Sequence, residues 1–483
     1  MADNNPFSLP EAASRALQDM GYEPDAQMAS KIALWWQWYT RIADKGEVHD
    51  FYDVPYTVSQ QSEAGGTVRT RKTRRRLSLN PAARACQEWA SLLLNEDTAV
   101  TAESPDANEW LAVWAESNDF WPTGQQMVEL AFATGTGAWA LSAEVAESES
   151  ETSLMLRTYD ARMTFPLSWD SDGISECAFC SLVHVDGKPM TRLVAHRVGN
   201  AGTYVIETLL FDGDGEAVDP ESLGMIPEWD TLCPTPTFGI VKPAIANVVS
   251  EASPYGMSVF HRALGGTVQA VDLAFDALFQ EVKLTEAMVF LDEAMVDLKS
   301  ADGKFVPVPL GEGDRKFVTL AGESGKNLYE VYSPDIRTSP LREALDVALA
   351  ELGEQCGFGQ EYFTLEKTGG IKTATEVSSD NSALMRNVRK HENGIRRAIQ
   401  RVAAALLTCA RIHCGADIEE DFGAITVQFD DSIITDTQAE KAMMLNEIAA
   451  GIVPKWMYLA EFYGMDEEQA RAETTEQPAE QGF

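Results

Sequence analysis

The sequence predicts a mixed α+β fold, because helical and strand-like patterns occupy separate stretches of the chain. Short apolar runs separated by Asp-Gly turns fill residues 138–241 and predict antiparallel strands. Two other stretches, residues 256–286 and 374–414, repeat apolar residues at steps of three and four, which is the period of an α-helix. Because helices and strands do not alternate along the chain, a doubly wound parallel sheet is not predicted.

The composition is that of a folded protein with a large acidic excess. The 483 residues include 38 Lys and Arg against 75 Asp and Glu, a formal balance of −37, and 45% of them are apolar. No apolar run approaches the roughly 18–20 residues of a membrane span, and the start has no basic leader, so we expect neither membrane integration nor secretion. Seven scattered cysteines favour a reducing compartment. The acidity argues against a protein that simply coats DNA, since phosphates attract Lys and Arg.

The N-terminal third combines short helices with a basic segment. Residues 29–43 and 81–94 have helical spacing, and the first of these segments is rich in tryptophan. Between them, Arg69–Arg76 places six basic residues in eight positions. Strand-like runs follow at residues 154–159, 178–185, 193–198 and 204–211.

The middle of the chain predicts a helix, a small β insert and a second helix. An apolar stripe runs from Phe260 to Val282 on the first helix, and the second helix covers Pro340–Gly353. Residues 287–337 between them contain short strand-like pieces broken by glycines. Polar residues occupy a different face of the first helix: Gln269, Asp272, Asp276, Gln280 and Lys283.

A glycine-bounded loop, Gly357–Gly370, leads into a second long helical stretch. Apolar residues from Leu384 to His413 step by three or four, and Gly394 within this stretch predicts a kink. A strand-like run at 424–429, short helices and an acidic tail complete the chain.

Nucleotide-binding motifs are incomplete. Gly322–Asn327 lacks both the first glycine and the terminal hydroxyl of a phosphate-binding loop, so we interpret it as a hairpin turn. Gly135–Gly137 is half of a dinucleotide-binding motif and is interpreted as a turn that enters a strand.

Metal and catalytic constellations are also incomplete. Cys177 and Cys180 have metal-ligand spacing but no second pair of ligands, and on a strand they face opposite ways. Cys409 and His413 share a helix end with Cys414, but His413 lies on the apolar stripe and is interpreted, like His391, as a packed histidine. We therefore assign no catalytic residue, no metal ligand and no cofactor.

Four segments carry a family resemblance: Trp35–Tyr39, Arg76–Asn80, Trp89–Glu96 and Lys372–Ser382. Together with the paired helices and their β insert, they resemble the portal proteins of tailed bacteriophages, of the SPP1 type. The resemblance covers nearly the whole chain, and its most specific parts are Thr373–Val377 and Trp89–Glu96.

The resemblance implies a portal fold with an α/β wing, a two-helix stem, a small β-containing clip, a long kinked helix and a helical crown. Carried onto this chain, the segments are the wing at 1–255, the first stem helix at 256–286, the clip at 287–337, the second stem helix at 338–357, the channel loop at 358–373, the long kinked helix with a returning wing strand at 374–430, and the crown with the acidic tail at 431–483.

The resemblance also implies a structural function rather than an enzymatic one. Portal proteins form a ring of twelve subunits at one vertex of the head, through which DNA is packaged and later ejected. The implied partners are further copies of the chain, double-stranded DNA in transit, the terminase large subunit, a head–tail connector or adaptor protein, and the major capsid and scaffolding proteins. The implied location is the capsid vertex of the virion, after assembly in the host bacterial cytoplasm. The alternatives are another head or neck protein of a phage virion and a DNA-packaging motor enzyme, and the incomplete phosphate loop disfavours the motor.

Candidate channel residues follow from this map. A two-helix hairpin with one apolar stripe cannot bury that stripe alone, whereas copies side by side would bury it between neighbours. The polar face of the first stem helix is then the candidate channel lining, where Asp272 and Asp276 would repel DNA phosphates. The channel loop either projects into the channel or lies static against its own subunit. Its candidate DNA-facing residues are Glu361, Tyr362, Phe363, Lys367 and Lys372.

Two basic islands stand out against the acidic background. Both are interpreted either as ion-pair partners of acidic residues across a subunit interface or as contacts to packaged DNA. The first consists of Arg69, Arg71, Lys72, Arg74, Arg75 and Arg76, and the second of Arg386, Arg389, Lys390, Arg396, Arg397 and Arg401.

Overall fold

A computed structural model of the chain divides into two compact units. Unit 1 comprises Met1–Pro6, Asp25–Gln87 and Met257–Gly369, and unit 2 comprises Phe7–Pro24, Glu88–Gly256 and Gly370–Phe483. The structure describes residues 9–41, 47–61, 67–95, 98–145, 152–185, 187–284, 288–292, 297–299, 305–307, 317–320, 329–332, 335–365, 374–429, 441, 444–448, 451, 453–463, 465, 469–471 and 474.

Within the described residues, helices occur in the N-terminal, middle and C-terminal parts of the chain. In chain order they are α1 (Glu11–Asp19), α2 (Ala26–Thr40), α3 (Glu47–Tyr52), α4 (Pro81–Leu93), α5 (Pro105–Ser117), α6 (Phe120–Thr134), α7 (Thr267–Leu284), α8 (Thr338–Cys356), α9 (Ala374–His413) and α10 (Lys455–Tyr463). In the described part of the chain, none of the helices is long and apolar enough to cross a membrane.

The strands are short and mostly antiparallel. They are β1 (Asp53–Gln61), β2 (Thr67–Arg75), β3 (Ala99–Ala102), β4 (Gly137–Val145), β5 (Thr152–Asp160), β6 (Thr164–Asp170), β7 (Gly173–Val185), β8 (Lys188–Val198), β9 (Tyr204–Phe211), β10 (Ala217–Val218), β11 (Glu228–Asp230), β12 (Phe238–Val241), β13 (Met288–Asp292), β14 (Asp297–Lys299), β15 (Phe305–Pro307), β16 (Phe317–Leu320), β17 (Tyr329–Tyr332) and β18 (Ile425–Gln428).

Unit 2 is built on antiparallel sheets with α9 packed against one of them. One sheet has the strand order β10-β9-β8-β7-β6, with β11 also paired to β9, and another has the order β12-β4-β5. β18 pairs with β3, so a strand after the long helix returns to the N-terminal part of the unit. Helix α9 lies close to β12: a Cβ added at Gly239 of β12 would be only 2.5 Å from the carbonyl oxygen of Ala398 of α9. Buried apolar residues such as Leu141, Leu406 and Leu407 form a core there.

Unit 1 contains an antiparallel helix pair. Thr267 at the start of α7 donates to Gln355 near the end of α8 at 3.0 Å. At the opposite end Arg337, directly before α8, pairs with Glu281 of α7 at 2.8 Å. Polar contacts therefore join the two helices at both ends.

The rest of unit 1 holds a tryptophan-rich helix, a long hairpin and short strands. Trp35 and Trp38 of α2 are buried, and the Trp35 indole donates to His261 Nδ1 at 3.2 Å. Strands β1 and β2 form a two-stranded antiparallel sheet in which Asp53 pairs with Arg75 and Gln61 with Thr67. Between α7 and α8, β13 pairs with both β16 and β17, and β14 pairs with β15.

The mixture of helices and mainly antiparallel sheets confirms the α+β class. The first stem helix begins later than predicted, at Thr267, because a 3-10 turn at Arg262–Gly265 precedes it and Gly266 has a φ of 141°. A φ in that region favours glycine and interrupts the helical path. The compact units group Asp25–Gln87 with Met257–Gly369. The wing, stem, clip and crown assignments stay predictions.

Candidate functional site

Asp272, a candidate for the channel lining, lies buried at the foot of the β1–β2 hairpin. Its carboxylate accepts hydrogen bonds from the Tyr52 hydroxyl, from Ser78 Oγ at 2.7 Å and from the Leu79 amide at 2.8 Å. The side chain has no exposed surface. Three donors from two other segments of the chain therefore converge on one acid of α7.

Asp276 lies one helical turn further along α7 and binds the hairpin itself. Arg74 of β2 donates to its two oxygens at 2.7 and 2.8 Å, in a bidentate pair. The Leu77 amide donates to the same carboxylate at 3.2 Å. Such parallel charge-assisted bonds fix orientation as well as distance.

The two carboxylates differ in their electrostatics. Burial raises the pKa of Asp272 above its usual range, although the bonds from Tyr52 and Ser78 act in the opposite direction. Burial and the neighbouring carboxylate also raise the pKa of the Tyr52 hydroxyl, which is held as a donor. At Asp276 burial again raises the pKa of the carboxyl group. The hydrogen bonds from Arg74 and the Leu77 amide lower it by more, so this pKa lies below its usual range.

This carboxylate network corrects one expectation. Asp272 and Asp276 were expected as open carboxylates on a channel face, but both are buried and bonded within their own chain. The polar face of the helix could be recognised in the sequence, whereas its partners, about 200 residues away, could not. Of the other candidates on this face, Gln269 and Gln280 are half-buried and Lys283 is exposed.

The network also explains the Arg76–Asn80 segment. The amides of Leu77 and Leu79 and the hydroxyl of Ser78 all bind α7 carboxylates. Asn80 follows in the left-handed region with a φ of 54°, and its carbonyl accepts from the Arg84 amide at the start of α4. Sequence analysis marked this segment as a family motif but missed the role of Ser78 and the participation of Tyr52.

Residues 358–365, the described part of the segment that is predicted to be the channel loop, fold back against α8. Helix α8 ends at Cys356 and is followed by Gly357, whose φ is 87°. Phe358 packs with the rings of Tyr362 and Phe363 at centroid distances of 4.6 and 5.0 Å. The Leu365 amide donates to Asp346 of α8 at 2.7 Å. Glu361 is exposed, whereas Tyr362 and Phe363 are half-buried, so the aromatic residues serve here as packing groups. Lys367 and Lys372 lie outside the described residues.

The first basic island divides into a bound half and an exposed half. Arg74 pairs with Asp276, Arg75 with Asp53 at 2.7 Å, and the Arg76 guanidinium lies 4.1 Å from the centre of the Phe51 ring. The others, Arg69, Arg71 and Lys72, are exposed.

The second basic island lies on the buried-core helix α9 and is only partly exposed. Arg396 is bonded to Asn393 at 2.8 Å, lies 3.8 Å from Glu392 and stacks over Phe429. Arg401 is half-buried. The remaining members are exposed: Arg386, Arg389, Lys390 and Arg397.

The histidines and the short glycine motif have structural surroundings. His391 is buried between Trp89 and Phe132 and accepts from the Ala244 amide at 2.9 Å, and His413 contacts the carbonyl of Thr231, which confirms both as packed residues. Gly135 ends α6 with a φ of 89° and Gly137 opens β4, as predicted. Within the described residues, no group of three His, Cys, Asp or Glu side chains is placed to hold a metal ion.

Comparison with known proteins confirms the resemblance to tailed-phage portal proteins. Residues 281–482 match the family described as phage portal protein, SPP1 Gp6-like. The match begins in the last turn of α7 and includes α8 and α9. No curated protein matches the chain significantly.

Proposed function

We propose that this chain is the portal subunit of a tailed phage and forms a ring of twelve copies at the unique vertex of the capsid. The ring would be the channel for genome packaging and ejection, without catalytic activity of its own. The family match over residues 281–482 supports this proposal, since proteins of that family are structural components of the phage head.

The observation that carries the proposal is the helix pair of α7 and α8. Thr267 and Arg337 close its two ends, yet large apolar side chains remain exposed along it. Leu273, Phe279 and Val282 of α7 are 52%, 43% and 48% exposed, and Val347 of α8 is 71% exposed. Exposed apolar side chains in such number mark an interaction surface. Copies set side by side around a ring would cover them.

Two further segments would contact the ring's partners. Residues 287–337 connect α7 to α8 at one end of the pair, so they would form the clip that meets the terminase large subunit during packaging and a connector or adaptor protein afterwards. Residues 358–373 would form the channel loop. Replacing Lys367 and Lys372 with Ala should change DNA packaging or retention but leave assembly intact; unchanged packaging would refute the DNA role of the loop.

The remaining partners and the location follow from the same proposal. The ring would assemble in the host bacterial cytoplasm with the scaffolding and major capsid proteins and remain at the capsid vertex of the virion. Double-stranded DNA would pass through it in transit.

The mass and shape of the purified protein test the ring. Light scattering during size-exclusion chromatography should give a mass of about 636 kDa, which is twelve times the 53.0 kDa of one chain. Negative-stain images should show rings with a central hole. A stable 53.0 kDa monomer at micromolar concentration, also in the presence of scaffolding and capsid proteins, would refute the proposal.

A further inference from the structure

The hairpin formed by β1 and β2 belongs to unit 1 and is a sheet of two strands within the described residues. In the part of the chain that the structure describes, β1 pairs only with β2, from Asp53↔Arg75 to Gln61↔Thr67. Pro55 and Thr57 are exposed on one strand, and Thr70 and Thr73 on the other. A two-stranded hairpin is marginally stable in water, and both outer edges offer unpaired backbone groups to another chain.

The foot of this hairpin is held firmly by its own chain. Arg74 binds Asp276 of α7 through two hydrogen bonds, and Arg75 binds Asp53. The Arg76 amide also donates to the Tyr52 carbonyl at 2.8 Å. We call the two strand segments beyond this foot, residues 54–61 and 67–73, the arm. The stem helix therefore fixes the direction in which the arm extends.

The arm has the opposite charge to the rest of the chain. The arm and the residues that join its two strands in the sequence, 54–73 in all, contain Arg69, Arg71, Lys72 and one acid, Glu63, a balance of 3 − 1 = +2. The other residues therefore carry −37 − 2 = −39. The three cations face Ser59, Thr57 and Tyr56 across the strand pair, so no acid neutralises them there.

A groove beside the arm indicates the class of partner. It has a volume of about 700 Å³ and is lined by Asp50, Asp53, Pro55, Arg71, Thr73 and Arg75. Because it carries both charges, it suits a protein segment, whereas its two acids would repel the phosphates of DNA. The open strand edges favour the same class, since only a polypeptide can extend a sheet.

We propose that the arm docks on an acidic surface of a second copy of this chain, with Arg69, Arg71 and Lys72 as the contact cations. This inference rests on the proposed ring, in which each copy has a neighbour that carries the same acidic excess. The arm would link adjacent subunits, in addition to the contact between stem helices. The exposed half of the basic island would thus bind protein, while its other half holds the arm in place.

Carbodiimide cross-linking tests the contact directly, because this reagent joins an amine to a carboxylate that touches it. Lys72 is the only lysine of the arm. After brief treatment of assembled protein, covalent dimers should contain a Lys72 peptide joined to an acidic peptide, as identified by mass spectrometry. Lys72→Arg keeps the charge and should remove that peptide without changing assembly. If rings form but Lys72 is joined only to acids of its own chain or to none, the inference is wrong and the proposed function stands. If no rings form, the proposed function fails, and Lys72-linked dimers would still support the contact between copies.

Charge reversal provides a second test. The triple variant Arg69→Glu, Arg71→Glu and Lys72→Glu should weaken assembly by about tenfold or more at low salt, and less at high salt, because screening reduces exposed ion pairs. The control triple variant Lys188→Glu, Arg197→Glu and Lys455→Glu changes the net charge equally at other exposed positions. Equal assembly of the two variants would overturn the inference. The inference would also be overturned if the arm variant forms rings normally but no longer binds a 40-base-pair DNA duplex, because the arm would then contact DNA.

Discussion

Asp272→Asn should loosen the junction between α7 and the hairpin by a measurable amount. The carboxylate has two oxygens for three donors, namely Tyr52, Ser78 and the Leu79 amide. Asparagine offers one oxygen and an NH₂ group, so at least one buried donor loses its acceptor. A hydrogen bond to a charged group contributes about 1.5–3 kcal/mol. Because burial raises the pKa of Asp272, removal of the charge recovers part of the desolvation cost. We therefore expect a loss of about 2 kcal/mol in local stability.

Hydrogen exchange of α7 amides measures this loss. About 2 kcal/mol corresponds to exchange that is roughly 30-fold faster for amides that open with the junction. The control Asp335→Asn makes the same chemical change at an exposed position and should leave α7 unchanged. Exchange within threefold of the parent in α7 would refute the reasoning, because the junction would then be held without the carboxylate.

Two further changes test unit 2. Burial lowers the pKa of His391 to about 3. Below about pH 6.5 the unfolded chain therefore binds a proton that the folded chain does not. The free energy of unfolding should consequently fall as the pH decreases from 6.5 towards 3. His391→Gln keeps an acceptor for the Ala244 amide but cannot titrate, so unfolding in urea between pH 4 and 7 should show a weaker pH dependence; an unchanged dependence would contradict this assignment. Gly239→Ala would place a Cβ 2.5 Å from the Ala398 carbonyl oxygen and should cost about 1–3 kcal/mol in urea unfolding, whereas Gly265→Ala meets no atom within 4 Å and serves as the control. Equal stability of the two alanine variants would show that β12 and α9 separate easily.

The regular elements of the fold could be predicted because their patterns are local. The strand-like run at 204–211 matches β9, and residues 81–94 differ by one position from α4. Apolar spacing reports which side of an element is buried, and that requirement sets its period. The start of α7 was misplaced because the stripe from Phe260 continues through Gly265 and Gly266, where the backbone leaves the helical path.

The candidate site could be predicted only in part, because its chemistry depends on contacts between distant segments. The spacing of Asp272 and Asp276 places them on the polar side of a helix, but a polar face exposed to solvent and one bound by another segment have the same pattern. Tyr52 is 220 residues from the aspartate that it binds. Likewise, the cluster of basic residues was evident, but its division into bound Arg74 and exposed Arg71 follows from the contact between the foot of the hairpin and Asp276 of α7.

The carboxylate network makes the positions of the hairpin and of helix α7 depend on each other. Arg74 belongs to the hairpin, Leu77 lies two residues after its end, and both bind Asp276 of α7. A shift of α7 along its axis would therefore have one of two results. It would either break the bidentate pair at the buried Asp276 carboxylate, at a large cost in free energy, or move the foot of the hairpin together with α7. If the arm docks on a neighbouring copy, this linkage would transmit a movement of α7 to the next subunit. Asp276 therefore joins the hairpin to α7 through its pair with Arg74.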